Sequence, residues 1–207
     1  NTTGYSNVGM GKNVMHNNTT GAQNVAIGQG ALYENETSNL NTAVGYQALE
    51  ETTSAKNTAV GGYALTDNTT GAYNTACGYA SLANNTTASN NTALGFETLT
   101  QNTTGANLTA VGYKSLTNNT ANNSTAVGYK SLEANTTGAE NTAVGTGALT
   151  ANTTASNNTA VGKDALNDNT TGTSHVAVGT NALGKVTTNS NCTAVGKDAL
   201  KLNTAAE

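Results

Sequence analysis

The chain has 207 residues, with no Pro, Trp or Arg, one Phe and a formal net charge of −4. This mild acidity argues against a nucleic-acid partner, because nothing in the chain could neutralise a row of phosphates. No apolar run approaches the roughly 18 residues of a membrane span. No charged-then-apolar start suggests a signal peptide, and residue 1 is Asn, which reads as a piece of a longer precursor. Asn, Thr, Ala and Gly dominate, yet the apolar residues are rigidly placed, which indicates order rather than a disordered polar chain.

The first element is NVGMGKNVM at 7–15, then NVAIGQGAL at 24–32, NTAVGYQAL at 41–49, NTAVGGYAL at 57–65 and NTACGYASL at 74–82. The phrase continues to CTAVGKDAL at 192–200, followed by KLNTAAE. Its central Gly falls at Gly11, Gly28, Gly45, Gly61, Gly78, Gly95, Gly112, Gly128, Gly145, Gly162, Gly179 and Gly196, so residues 1–207 form one array of twelve units. The spacing is 17 residues, except for 16 between Gly45 and Gly61 and between Gly112 and Gly128. The missing residue lies in the segment between phrases, at EETTSAK and TNNTANN, which marks that segment as a loop.

Positions are counted from the Asn that opens each phrase. The second is Thr or Val and the fourth is an apolar residue, usually Val, so both share one face of a strand and the third, Ala in eleven of twelve units, takes the other. This predicts an inward column of fourth-position Val and an outward column of Ala. The invariant fifth-position Gly predicts a corner with positive φ or a close backbone approach. The eighth position and the ninth, Leu in all but the first unit, predict a second short strand with Leu inward. The Asn-, Thr- and Gly-rich remainder is turn chemistry. Two short strands cannot close a core alone, whereas stacked copies can: the expected fold is an all-β parallel solenoid of about twelve rungs, about 4.8 Å apart. Its single-chain core is thin. The flat Ala column then offers a surface on which further chains could pack.

The phrases NVAIG at 24–28, HVAVG at 175–179 and NSTAVG at 123–128 resemble the head repeat of the trimeric autotransporter adhesins, a motif of the Asn-Ser-Val-Ala-Ile-Gly type. The wording NTAVGYQAL also resembles head-like repeats of bacteriophage tail fibres. The resemblance spans all twelve units and implies a left-handed parallel β-roll, three chains side by side, and an adhesive or spacer role outside the cell, on a bacterial surface or a virion. The unit is longer than that family's usual repeat, and the chain has neither a heptad stalk nor a membrane-anchor barrel.

The chemistry-bearing residues assemble no active site, and no catalytic, metal or cofactor residue is assigned. His16 and His175 lie in units 1 and 11 and read as surface residues. Cys77 replaces a fourth-position Val and Cys192 a first-position Asn, and both read as plain thiols. The carboxylates avoid the strand positions and the Leu, so they solvate loops; the nonapeptide calcium pattern is absent. The Asn-x-Thr sequons, as at Asn68, Asn102 and Asn135, follow from an Asn/Thr-rich turn, with glycosylation only in a suitable host. The first-position Asn column (Asn7, Asn24, Asn41, Asn57, Asn74, Asn91, Asn141 and Asn158) predicts stacked amides along the fibre. The sixth-position aromatics Tyr46, Tyr79, Phe96, Tyr113 and Tyr129, with Tyr63 displaced one place by Gly62, predict stacking between rungs or, alternatively, a ligand stripe for a sugar or protein.

The expected function is therefore a structural and adhesive segment of an extracellular fibre, not an enzyme. Its partners are two further copies and a host-surface protein or glycan; neither nucleic acid nor membrane insertion is expected. An end-to-end filament is one alternative. An ice-binding solenoid is another, raised by the long Thr column from Thr42 to Thr159 but opposed by the expected inward direction of those side chains. With nothing cap-like after Leu200, the array is expected to continue, and the Ala column, including Ala93 and Ala110, is expected at the contact between chains.

Overall fold

The computed structural model describes residues 1–203; residues 204–207, the end of the KLNTAAE tail on which the expected continuation rests, lie outside the described residues. Every regular element among the described residues is a three-residue β-strand. The first compact unit, Asn1–Ala106, carries β1 (Val8–Met10), β2 (Val25–Ile27), β3 (Thr42–Val44), β4 (Thr58–Val60), β5 (Thr75–Cys77) and β6 (Thr92–Leu94). The second begins at Asn107 and carries β7 (Thr109–Val111), β8 (Thr125–Val127), β9 (Thr142–Val144), β10 (Thr159–Val161), β11 (Val176–Val178) and β12 (Thr193–Val195). Within each unit the strands pair in parallel in sequence order and the same phrase positions face one another, as in Ala43↔Ala59 and Ala160↔Ala177. This is the expected parallel β-solenoid. The 16-residue repeats keep that register, Thr42↔Thr58 and Thr109↔Thr125, so the loops absorb the missing residue.

The direction of the strand faces is the reverse of the expected one. The third-position Ala, from Ala26 to Ala177, is fully buried. No second- or fourth-position residue is buried, and Val60, Val144, Val161 and Val178 are exposed. Alternation fixes which residues share a face but not which face is inside. The interior decides that. It is already occupied by the ninth-position Leu, buried from Leu32 to Leu183, and by Asn side chains, which leaves each strand room for a methyl group only. The β-branched Thr and Val stand outside.

The expected second strand is also absent. Residues after the Gly form a tight turn in which the ninth-position Leu has left-handed φ, 50° at Leu49 and 52° at Leu149. A left-handed L-residue costs about 1–2 kcal/mol. Full burial of a Leu offsets this with about 1.5–3 kcal/mol. The fifth-position Gly satisfies both expectations made of it. At Gly145 φ is +138°, and an added Cβ would lie 2.5 Å from the Gly162 carbonyl oxygen of the next rung. Backbone hydrogen bonds between rungs continue round the corners, as from Leu149 N–H to the Ala165 carbonyl at 3.0 Å and from Gln47 N–H to the Gln29 carbonyl at 2.9 Å.

Candidate functional site

Three side-chain systems run along the rungs. The first is internal and polar. Each first-position Asn reaches across its own rung: Asn24 Nδ2 donates to the Ser38 carbonyl at 2.9 Å and Asn74 Nδ2 to the Ala88 carbonyl at 2.8 Å. Its Oδ1 accepts the backbone N–H of the next rung's Asn, as Asn24 does from Asn41 at 2.9 Å. The expected amide stacking is thus an amide-to-backbone ladder in this column. A true amide-to-amide ladder lies in the loop, in a column the sequence pattern did not single out. There Asn35 Nδ2 donates to Asn18 Oδ1 at 3.0 Å, Asn85 to Asn68 at 2.7 Å, Asn135 to Asn119 at 2.6 Å and Asn152 to Asn135 at 2.7 Å. The signal was present as the Asn that opens NTT in most loops, NET at 35–37 and NTA at 119–121. The sequon residues Asn68, Asn102 and Asn135 belong to this ladder and are fully buried, so the folded chain cannot present them for glycosylation.

His175 corrects the surface reading. It is fully buried in the first-position column and reproduces the Asn pattern. Its Nδ1 accepts the Cys192 N–H at 3.2 Å and its Nε2 lies 2.6 Å from the Asn189 carbonyl, which assigns the proton to Nε2. Burial lowers its pKa from the ordinary imidazole value, opposed by the hydrogen bond to the Asn189 carbonyl. His16 is exposed, as expected, and stacks on Tyr33 at 5.0 Å. Cys77 points outward from β5 and Cys192 is half-buried; both are free thiols. Among the described residues no three His, Cys, Asp or Glu side chains are grouped to hold a metal ion, and no helix is long and apolar enough to cross a membrane.

The second system is the aromatic column. In the first unit Tyr46, Tyr63, Tyr79 and Phe96 form a continuous ribbon with ring centroids 5.2, 5.7 and 5.5 Å apart. Gly62 delays Tyr63 by one residue, yet its ring still bridges Tyr46 and Tyr79, nearly perpendicular to both. Crowding by these neighbours raises the Tyr63 pKa, through desolvation first and the two adjacent phenols next. In the second unit Tyr113 and Tyr129 stack 9° from parallel at 5.3 Å. The column is exposed, and within it the stacked pairs Tyr79–Phe96 and Tyr113–Tyr129 turn faces toward one another.

The third system is the outer strand face, with a Thr/Val column at the second position and a Val-class column at the fourth. One flank carries the aromatic column. The other is the position just before each phrase, with Leu40, Lys56 and Tyr73 in the first unit. Lys56 Nζ lies 5.0 Å from the Tyr73 ring centroid. No family model, curated protein or solved structure matches this chain.

Proposed function

We propose that the chain is a structural and adhesive segment of an extracellular fibre, in which three parallel copies stand with their Thr/Val faces together. One observation carries this reading: the outer face of the parallel strands bears two columns of Thr and Val side chains, none of them buried, while the interior behind it is already filled. Parallel sheets are almost always covered on both faces, so an uncovered one calls for a partner. The resemblance to adhesin head repeats supplies the number three and the setting. The contact lies on the Thr/Val face and not on the Ala column, which is inside each chain. Loops bearing most of the carboxylates remain outside such a bundle and form the attachment surface, and the rungs serve as a rigid spacer.

A second reading is favoured by one specific finding: the Thr side chains point outward, as an ice-binding solenoid requires, against the sequence expectation. The two readings use the same face and exclude each other in one assembly. Sedimentation equilibrium at micromolar concentration separates them. The fibre reading expects three times the chain mass and slow reaction of Cys77 with a thiol reagent, because Cys77 stands on the covered face. A monomer with freely reactive Cys77 overturns it, and thermal hysteresis from that monomer establishes the second reading.

A further inference from the structure

We propose that the two flanks of the face form an interchain seam in the first unit: the aromatic column of one copy packs, rung for rung, against Leu40 and Tyr73 of the next copy. This rests on the side-by-side assembly proposed above. Three flat faces turned toward one axis make a triangular prism. Each chain then meets its neighbours edge to edge, and rotation brings the sixth-position flank of one chain to the opposite flank of the next. Cyclic symmetry allows no axial slip, so residues of the same rung meet.

The distribution of exposed apolar side chains fits that geometry. Between residues 40 and 96 the exposed large hydrophobics are Leu40, Tyr46, Val60, Tyr63, Tyr73, Tyr79, Leu94 and Phe96. Val60 and Leu94 stand on the face and the other six on its flanks; none lies on the loop side. Tyr73 is 57% exposed, Tyr79 50%, Leu40 49% and Tyr46 44%. The ring geometry is complementary too. Tyr79 and Phe96 turn their faces toward one another along the column, which leaves their edges for a neighbour, and Tyr63 stands nearly perpendicular between Tyr46 and Tyr79. Lys56 Nζ donates to the Tyr73 hydroxyl at 3.2 Å and lies 5.0 Å from the ring centroid, at the hydroxyl end of the ring, so it leaves the ring faces to receive an edge. Area argues in the same direction. Six strands about 4.8 Å apart and about 7 Å wide offer on the order of 200 Å². A stable contact buries about 800 Å² per partner, so the strands alone fall short and the exposed flanks must add to them. In the second unit the opposing flank is Asn107, Asn123, Glu140, Asn157, Ser174 and Asn191, so the apolar seam belongs to the first unit alone.

The test is disulfide trapping in a full chain carrying Cys77→Val and Cys192→Asn, with Tyr73→Cys and Tyr79→Cys added. Within one chain β5 separates the two positions at about 3.3 Å per residue. That places them beyond the Cα separation of about 7 Å that a disulfide spans. Mild oxidation is expected to give covalent dimers and trimers that dithiothreitol reverses. Tyr73→Cys alone, or with Lys130→Cys, is expected to give none. A second pair, Tyr46→Ser with Tyr79→Ser, is expected to weaken the trimer at least tenfold while leaving the circular dichroism spectrum unchanged. Trimers that neither cross-link through positions 73 and 79 nor weaken in the serine pair overturn the seam and leave the assembly standing. A parent chain that sediments as a monomer overturns both.

Discussion

Two rungs of this protein are one residue short, and they close the gap in different ways. In the loop at 117–123 the Asn is kept but serves the ladder on one side only: Asn119 Oδ1 accepts from Asn135 Nδ2 at 2.6 Å, while its Nδ2 donates to the Ala121 carbonyl of its own loop at 2.7 Å and not to the preceding rung. The loss is taken up at the next strand, where Ser124 replaces the first-position Asn and its Oγ accepts the Asn141 N–H at 3.2 Å. In the loop at 50–56 the ladder amide itself is gone. Thr52 stands in its place, and its hydroxyl accepts from Asn68 Nδ2 at 3.2 Å. Ser54 Oγ bridges to the Gly71 carbonyl and receives Asn57 Nδ2 at 2.9 Å. That repair is one-sided. Thr52 does not reach the preceding rung, and Asn35 Oδ1 is left buried with no partner. Loop length is therefore negotiable in this fold at the cost of one ladder link: neither short loop's ladder residue donates to the preceding rung, and the oxygen left behind takes a backbone N–H in one case, Asn102 Oδ1 from Gly105 at 3.0 Å, and stays unpartnered in the other, Asn35 Oδ1.

The largest effect comes from attacking what both short rungs share, the buried Ala of the strand. Ala126 is fully buried. Ala126→Gln overfills the interior and buries an amide without partners, for an expected loss of about 3–5 kcal/mol. Its neighbours Thr125 and Val127 point outward, so Thr125→Gln and Val127→Gln should stay within about 0.5 kcal/mol for the single chain. In a trimer those two would weaken assembly instead. Urea midpoints of the three variants check the facing of the strand directly, and equal losses at all three positions contradict it. Next comes Asn119→Leu, a near-isosteric change that removes the link this short rung still makes to the next one. It leaves an Asn135 N–H and the Ala121 carbonyl short of a partner, at about 1–3 kcal/mol each when buried. The matched change Thr52→Val should cost less, since Asn68 Nδ2 keeps Ser54 Oγ at 3.1 Å and the Gly71 carbonyl at 2.9 Å. Hydrogen exchange of the amides in residues 135–139 reads the difference locally, which matters because an array of repeats need not melt in one step.

Much of this architecture was legible in the sequence and some of it was not, for definite reasons. The period, the loops, the invariant Gly and the buried Leu column are consequences of spacing, and spacing is what a sequence displays. The parity of the strand was misread because Val is more apolar than Ala, while the interior selects by size. Leu149 was placed inside correctly but in the wrong backbone state, since nothing about Leu announces a φ of 52°. Of the candidate site, the aromatic column was visible as a repeat, whereas the role of His175 depends on the Asn189 carbonyl in the loop opposite, which no local pattern reveals.

His175 sharpens the comparison with a third substitute for Asn, one whose hydrogen-bonding pattern changes with pH. Its folded pKa is lowered, so the folded chain prefers neutral imidazole. Between that lowered value and the ordinary value of about 6.5, the unfolded chain binds more protons than the folded one. The contribution is therefore complete above about pH 6.5 and declines as pH falls through that window. Protonation also places a donor on Nδ1 against the Cys192 N–H. Opening should concentrate in residues 189–203, with faster amide exchange at pH 5 than expected from intrinsic rates. In His175→Asn, which restores the two-ended amide without a titrating group, that acid sensitivity should vanish. Persistence of the sensitivity in the variant assigns it elsewhere.

The smallest effect is a gain, and it follows from the orphaned oxygen. Thr52→Asn places an amide where Asn119 shows that a loop of this length accommodates one. The new Nδ2 can donate to Asn35 Oδ1, now buried without a partner. The new Oδ1 can keep the hydrogen bond from Asn68 Nδ2 that Thr52 Oγ1 accepts at 3.2 Å. The change sacrifices the Thr52 hydroxyl's contact with Ser54 Oγ at 3.2 Å, and Ser54 retains the Gly71 carbonyl. One net hydrogen bond plus relief of a buried acceptor amounts to about 1 kcal/mol. The expected outcome is a higher urea midpoint and slower exchange at residues 35–38, with no change at residues 117–123, which belong to the other short rung. A lower midpoint would mean that Thr52 and Ser54 act as a matched pair whose loss outweighs the restored link, and the double variant Thr52→Asn with Ser54→Ala separates the two contributions.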